Sequence, residues 1–172
     1  NGNLRGKRIP ASGLKSVMTQ GVKLPHSVIG FDHWGDDVLD NGMVFETGDS
    51  DGICLAVHPE PIPVPWAETA RDQILAMMYN ADGTPFYPDP RQVLTRIVKR
   101  VKALGYTPVV ATELEFYLLH GTSEAQRRPS PPVIVDGNGC RLSKTDCYSI
   151  EEMDGLEGFF AEVRHACEAQ GI

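Results

Sequence analysis

The sequence lacks the signals of several protein classes. It has no Cys-x-x-Cys pair and no His-x-x-x-His pair, so nothing in it indicates a zinc site or a dithiol redox motif. No apolar run approaches the roughly 18 residues that a membrane-spanning helix needs. Positive charge is also scarce: 16 Lys and Arg stand against 23 Asp and Glu, a net charge of −7. This balance argues against a nucleic-acid backbone or an anionic membrane as a partner.

The composition is that of a folded globular chain. With 41% hydrophobic and 23% charged residues, the 172 residues can build one core or two small ones. The four cysteines show no paired spacing, and no secretory leader pattern is visible. We therefore expect reduced thiols in a cytoplasmic protein.

One segment, residues 108–119, combines strand-forming residues with two acids. It reads Pro-Val-Val-Ala-Thr-Glu-Leu-Glu-Phe-Tyr-Leu-Leu, and its β-branched and aromatic residues favour a strand. On a strand, Glu113 and Glu115 would point to the same face, about 6.5–7 Å apart. Two buried like charges are costly without compensation, and a hard divalent cation is their natural partner. The alternative is a solvated strand face, but the apolar surroundings favour a metal.

The clearest helix signals lie at residues 89–104. Asp89 is a good N-cap, Pro90 suits the first helical position, and Gly105 suits the C-terminal stop. A helix that leads into a buried strand is half of an α/β layer, and the turn near Asp82 is the natural domain boundary. The helix also carries one apolar stripe. Its members are Val93, Leu94, Ile97, Val98, Val101 and Leu104.

Other segments give weaker signals. Residues 53–57 read as a short buried strand, and residues 72–79 fit either a helix or a strand. Asp154 with Glu157 three residues later is an acidic version of the capping box, which predicts a final helix that ends at Gly171.

A Gly-rich stretch carries a cluster of acids. Most of its aspartates are expected to form turns, and the sequence Asp-Ser-Asp-Gly at 49–52 lacks the glycine and glutamate of an EF-hand loop. The five aspartates are Asp32, Asp36, Asp37, Asp49 and Asp51.

Several motifs follow one another in a distinctive order. They are Asn-Gly-x-Leu-Arg-Gly-Lys-Arg-x-Pro, Gly-Asp-x-Asp, Pro-Val-Pro-Trp, Asp-Pro-Arg-x-Val-Leu and Glu-Leu-Glu-Phe-Tyr-Leu. In this order they resemble the N-terminal part of a glutamine synthetase family protein, most of all the γ-glutamyl-amine (γ-glutamylpolyamine type) synthetases. The resemblance implies an α+β fold, with a β-grasp-like domain at residues 1–82. The start of a catalytic α/β domain of the glutamine synthetase/guanido kinase-like type would follow at residues 83–172.

The resemblance also implies an activity and its site residues. The family is composed of ATP-dependent ligases that join the γ-carboxyl of glutamate to ammonia or a small amine through a γ-glutamyl phosphate, with two Mg²⁺ or Mn²⁺ ions. By position, Glu115 resembles the ligand of the metal on the glutamate side, and Glu113 the ligand of the metal on the nucleotide side. Asp32 resembles an aspartate that a neighbouring subunit donates to the ammonium pocket to help remove a proton. Tyr148 resembles a tyrosine of that pocket, with a core tyrosine as the equal alternative.

The chain departs from the family pattern after Asp32. Glutamine synthetases continue with Gly-Ser-Ser, whereas this chain has His-Trp-Gly at 33–35. Asp36 or Asp37 is therefore an alternative match, and the departure favours an amine larger than ammonia. The resemblance implies a dodecamer of two hexameric rings. It also places the remaining metal, ATP and glutamate ligands beyond residue 172, so we expect these 172 residues alone to be inactive.

Three alternatives stay open at this stage. The chain could belong to a glutamine synthetase proper that uses ammonia. It could be a non-catalytic module that keeps the family scaffold with Glu113 and Glu115 as relics. The third alternative is an unrelated acidic α/β protein in which the two glutamates share a surface by accident, and this one predicts that the carboxylates do not converge.

Overall fold

The computed structural model describes residues 3–120, 130–142 and 147–172. Within these ranges the chain is an α+β protein with short strands and small sheets, as the sequence predicts. No helix in the described ranges is long and apolar enough to cross a membrane. The elements, in order, are α1 (Leu14–Gln20), β1 (Val22–Pro25), β2 (Asp51–Ala56), β3 (Ile62–Pro63), β4 (Asp72–Gln73), β5 (Ala76–Tyr79), α2 (Pro90–Ala103), α3 (Ile150–Gly155) and α4 (Glu157–Gln170).

The chain divides into two compact units. The first contains the described part of Asn1–Ile62 together with Asp72–Val109, and the second contains Pro63–Arg71 and the described part of Val110–Ile172. The division into family domains near residue 82 stays a prediction.

The first unit is built on an antiparallel sheet with strand order β1-β2-β5. The predicted strand at 53–57 is confirmed as β2, and the ambiguous segment 72–79 forms strands rather than a helix. Cys54 lies opposite Met78 in the β2–β5 register, and both side chains are buried. A Cβ atom on Gly52 would lie only 2.7 Å from Cγ of Met78, so any larger residue at this position would force the buried methionine side chain to shift. His26 closes the core by stacking on Phe86, with ring centroids 4.1 Å apart.

Helix α2 forms where the sequence predicts it, but its apolar stripe is largely uncovered. Leu94 is 58% exposed and Leu104 is 73% exposed. The helix contacts β5 through polar residues instead: Gln92 is buried, and Thr95 Oγ1 donates to Sδ of Met77 at 3.8 Å. Helical periodicity identifies an apolar face, but not whether another layer lies against it.

The predicted strand at 108–119 does not form. Residues 106–119 have no regular secondary structure, and Val109 and Tyr117 are each 93% exposed. A strand requires a neighbour that pairs its N–H and C=O groups, and the described residues offer none to this segment. Strand propensity reflects how well side chains pack on a sheet, so it cannot make a segment a strand where no sheet lies beside it.

The second unit ends in two consecutive helices. Ser149, rather than Asp154, provides the capping side chain: its Oγ accepts a hydrogen bond from the N–H of Glu152 at 3.3 Å and opens α3. Asp154 lies inside α3, so the predicted cap at Asp154 is wrong. The Ser-x-x-Glu spacing at 149–152 is itself a capping-box pattern, which explains the earlier start. Gly171 ends α4 with a φ of 74°, as predicted.

Candidate functional site

Asp32 closes a tight loop with its carboxylate. Its Oδ1 atom accepts hydrogen bonds from the backbone N–H groups of Trp34, Gly35 and Asp36, at 2.8, 2.9 and 3.0 Å. The backbone N–H of Asp32 donates to the carbonyl oxygen of Asp36 at 3.0 Å. The expected turn-forming role is thus confirmed for Asp32, and it coexists with the position that the resemblance assigns to this residue.

The N-terminal motif holds this loop in place. Arg5 Nη2 donates to the carbonyl oxygen of Asp32 at 3.1 Å, and the guanidinium carbon lies 5.4 Å from the ring centroid of Phe31. Asn3 Nδ2 donates to the carbonyl oxygen of His33 at 2.8 Å. The basic segment that opens the chain therefore positions the acidic loop through charge-assisted and amide hydrogen bonds.

The loop geometry lowers the pKa of Asp32. The N–H groups of the loop, above all that of Asp36, hold the pKa of this carboxyl below the 3.8 of an unperturbed aspartate. Asp32 is ionised at neutral pH, as an ordinary aspartate is, and the loop N–H groups keep it ionised at more acidic pH. A carboxylate with a lowered pKa is also a weaker base.

Glu113 and Glu115 lie on the segment that forms no strand, and both are exposed. Their carboxylate oxygens are the ligand type that Mg²⁺ and Mn²⁺ prefer, so the donor chemistry fits a hard divalent cation. In the described parts of the chain, however, no three His, Cys, Asp or Glu side chains come close enough to hold a metal ion. The described residues thus contain oxygen donors of the right type, but no group of three that could hold a metal ion.

Tyr148 is fully exposed and has a φ of 58°. Its interpretation as a core tyrosine is therefore wrong. A positive φ is uncommon for a residue with a bulky side chain, so the backbone here is in a less favourable conformation. Of the predicted site residues, Asp32 lies in the first unit, and Tyr148 lies in the second with Glu113 and Glu115.

A buried polar clamp, formed by Asp89 and Gln92 on the backbone of Met78, lies at the start of α2. The sequence predicted only the capping role of Asp89. Asp89 caps the helix as expected, because its Oδ1 accepts the N–H of Arg91 at 2.7 Å. Its Oδ2 also accepts the N–H of Met78 on β5 at 2.7 Å, and Gln92 Nε2 donates to the carbonyl oxygen of Met78 at 2.8 Å. The Asp-x-x-Gln spacing at 89–92 is a capping-box pattern that could have singled out Gln92.

The second half of the chain matches a known family of enzymes. Residues 88–172 match the model of the family described as glutamine synthetase, catalytic domain. This range begins at the Asp89 clamp and includes the segment that carries Glu113 and Glu115. The matched range therefore contains two of the motifs on which the resemblance in the sequence is based, Asp-Pro-Arg-x-Val-Leu and Glu-Leu-Glu-Phe-Tyr-Leu.

Individual relatives extend the match over the whole chain. The chain is 34% identical over its full length to gamma-glutamylputrescine synthetase PuuA of Escherichia coli (strain K12), covering 36% of that protein. It is 28% identical over its full length to glutamate–isopropylamine ligase of a Pseudomonas species, covering 37% of it. Over 73% of the chain it is 33% identical to glutamine synthetase of Pyrococcus furiosus, covering 26% of that protein.

The chain belongs to the glutamine synthetase family. It spans about a third of the length of the first two relatives. Membership confirms the resemblance and excludes an unrelated acidic α/β protein, even though the two glutamates do not form a closed cluster in the described residues.

Proposed function

We propose that this chain is the N-terminal part of an ATP-dependent ligase that joins the γ-carboxyl group of glutamate to an amine. The observation that carries the proposal is the full-length similarity to gamma-glutamylputrescine synthetase, at 34% identity. The similarity to glutamate–isopropylamine ligase also covers the full chain. Both relatives are named for a glutamyl group and an amine, whereas the match to the Pyrococcus furiosus glutamine synthetase covers only 73% of the chain.

The proposed reaction has two steps. The γ-carboxylate attacks the terminal phosphorus of ATP and releases ADP, which gives a γ-glutamyl phosphate. The amine nitrogen then attacks the γ-carbonyl carbon, phosphate leaves with the bonding electron pair, and the nitrogen loses a proton. Magnesium or manganese ions, when bound, neutralise negative charge on the phosphate groups. Glu113 and Glu115 would hold these ions, because they are exposed carboxylates on one short segment of the family-matched region.

Asp32 and Tyr148 have proposed roles at the amine. Asp32 is anionic at neutral pH, as an aspartate normally is, and its loop N–H groups lower its pKa further; this charge suits an alkylammonium group that approaches the site. Tyr148 is fully exposed, so its side chain is accessible to a substrate or a neighbouring subunit. Asp36 and Asp37, both exposed in the same acidic stretch, remain alternative acids for the first role.

The finer architecture and setting are part of the same proposal. The β1-β2-β5 sheet, with α1 packed against β2, supports a β-grasp-like domain at residues 1–82. A cytoplasmic location is supported by four unpaired cysteines in the described residues. The dodecamer of two hexameric rings rests on family membership.

The metal role of the two glutamates is tested with isosteric variants of the full-length protein that carries this sequence. Glu113→Gln and Glu115→Gln should each weaken Mn²⁺ binding, measured by electron paramagnetic resonance, and slow ATP-dependent phosphate release by about 100-fold or more. Glu162→Gln is the matched control, because Glu162 is also an exposed glutamate but lies on α4. Unchanged metal occupancy and turnover in both variants would show that the two acids are not ligands.

The acceptor is tested with an amine panel in the same assay. Putrescine and isopropylamine, which appear in the relatives' names, are compared with ammonium at equal concentrations. Preference for an alkylamine supports the γ-glutamyl-amine branch, and preference for ammonium supports a glutamine synthetase proper. Absence of phosphate release with every amine supports a non-catalytic module. The 172-residue chain alone is expected to release no phosphate, because it presents no complete metal site in its described residues.

A further inference from the structure

The C-terminal half of α2 borders a surface cavity of about 290 Å³ in which every charged group is positive. Arg96, Lys99 and Arg100 carry the charge, Tyr87 adds an aromatic wall, and no Asp or Glu lines the cavity. All of these residues belong to the first unit. The cavity is therefore a basic surface in a protein whose net charge is −7.

The three cations have no carboxylate partner in the described part of the chain. The ion pair found there joins Arg164 to Glu157 at 3.2 Å and lies on α4. Helix α2 itself contains five basic residues and no acidic residue. Position 96 lies one turn from position 99 and from position 100, and like charges at these spacings repel. The negative end of the helix dipole offsets part of this repulsion near Arg100, and a bound anion would offset the rest.

Arg96 is oriented for anion binding before any ligand arrives. Its guanidinium carbon lies 4.8 Å from the ring centroid of Tyr87, which is within the distance of a cation–π contact. Stacking uses the face of the guanidinium plane and leaves its N–H edge for acceptor oxygens. That planar edge matches the spacing of two oxygens on a phosphate group, which a lysine cannot do.

We propose that this cavity binds a compact phosphate-bearing anion. A volume of about 290 Å³ is at the low end of ligand pockets, which suits phosphate or pyrophosphate better than a whole nucleotide. The site does not require the proposed ligase reaction, because its residues lie outside the segment that carries Glu113 and Glu115.

Binding is tested by isothermal titration calorimetry on the full-length protein at constant ionic strength. Pyrophosphate and inorganic phosphate are the probes, and chloride replaces them in the blank. Arg96→Gln and Arg100→Gln should each weaken binding about tenfold, because each removes a charged hydrogen-bond donor. Arg96→Lys should weaken it several-fold, since it keeps the charge but loses the planar edge. Lys102→Gln is the control, because Lys102 lies on the same helix but does not line the cavity.

The outcomes separate this site from other sources of binding. Equal weakening in Lys102→Gln and Arg96→Gln would mean general electrostatic attraction and would overturn the proposal, as would the absence of saturable binding. Glu113→Gln should leave binding unchanged, so failure of the proposed ligase site does not affect this test. If glycerol phosphate binds as tightly as inorganic phosphate, the site accepts a phosphate group of a larger molecule; if only the free ions bind, it is a site for free phosphate. Circular dichroism verifies that each variant is folded, and Lys99→Gln replaces any variant that is not.

Discussion

Replacement of Asp89 by alanine should destabilise the first unit strongly, because this side chain satisfies two backbone N–H groups at once. Oδ1 accepts from Arg91 at the start of α2, and Oδ2 accepts from Met78 on β5, both at 2.7 Å. Asp89 is only 7% exposed and Met78 only 1%, so water cannot replace the lost acceptor without opening the core.

The magnitude is the sum of two costs. Loss of an N-cap side chain costs about 0.5–2 kcal/mol. A buried N–H left without an acceptor costs about 1–3 kcal/mol. Together the free energy of unfolding should fall by about 1.5–5 kcal/mol in Asp89→Ala. Asp89→Asn keeps one acceptor oxygen but turns an NH₂ group toward the other donor, so it should lose about 1–2 kcal/mol.

The measurement is urea unfolding followed by circular dichroism, with amide hydrogen exchange at Met78 as the local reporter. Asp37→Ala is the matched control, because Asp37 is an exposed aspartate in the same unit and should change stability by less than about 0.5 kcal/mol. A loss below about 1 kcal/mol in Asp89→Ala, with unchanged protection of the Met78 amide, would refute the two-donor explanation.

Three further predictions follow from other residues. Gly21→Ala should cost more than about 1 kcal/mol in urea unfolding, because Gly21 has a φ of 76° and its Cβ would lie 2.5 Å from the carbonyl oxygen of Cys54; an unchanged midpoint would contradict this. The pKa of Asp32 is lower in the folded state, so its contribution to stability is complete above about pH 4 and is lost as the pH falls through the folded pKa. Asp32→Asn should therefore lose less stability on acidification than the unmodified protein. An acid-unfolding curve that the substitution leaves unaltered would disprove this. Burial raises the pKa of Cys54, so its thiol should react more slowly than exposed thiols. Alkylation at about pH 8, followed by mass spectrometry, should label the exposed Cys140 and Cys147 first. Faster labelling of Cys54 would contradict this prediction.

Local signals predicted the fold well where the cause of the structure is itself local. Asp89, Pro90 and Gly105 fix the ends of α2 through capping and backbone preference, which depend on a few neighbouring residues. The cap at Asp154 failed because Ser149 offered an equivalent capping pattern five residues earlier. When two local signals compete, the contacts of the whole helix decide between them.

The candidate site was predictable as chemistry but not as geometry. The sequence identifies Glu113 and Glu115 as paired acids suited to a divalent cation, and family membership supports that proposal. It does not indicate that their segment stays outside any sheet of the described residues, because pairing depends on strands far away in the chain. The basic cavity on α2 was missed for a similar reason: Tyr87 meets Arg96 only once the loop before the helix has folded back.

The sequence by itself determined the family, the ends of α2 and the acids available for metal binding, because motif order, caps and side-chain chemistry are local properties. Only the tertiary structure decided that Asp89 joins α2 to β5, that the N–H groups of its own loop lower the pKa of Asp32, and that three cations without an ion-pair partner among the described residues share one cavity. These features depend on distances between residues that the linear order does not fix, and burial and charge act through such distances.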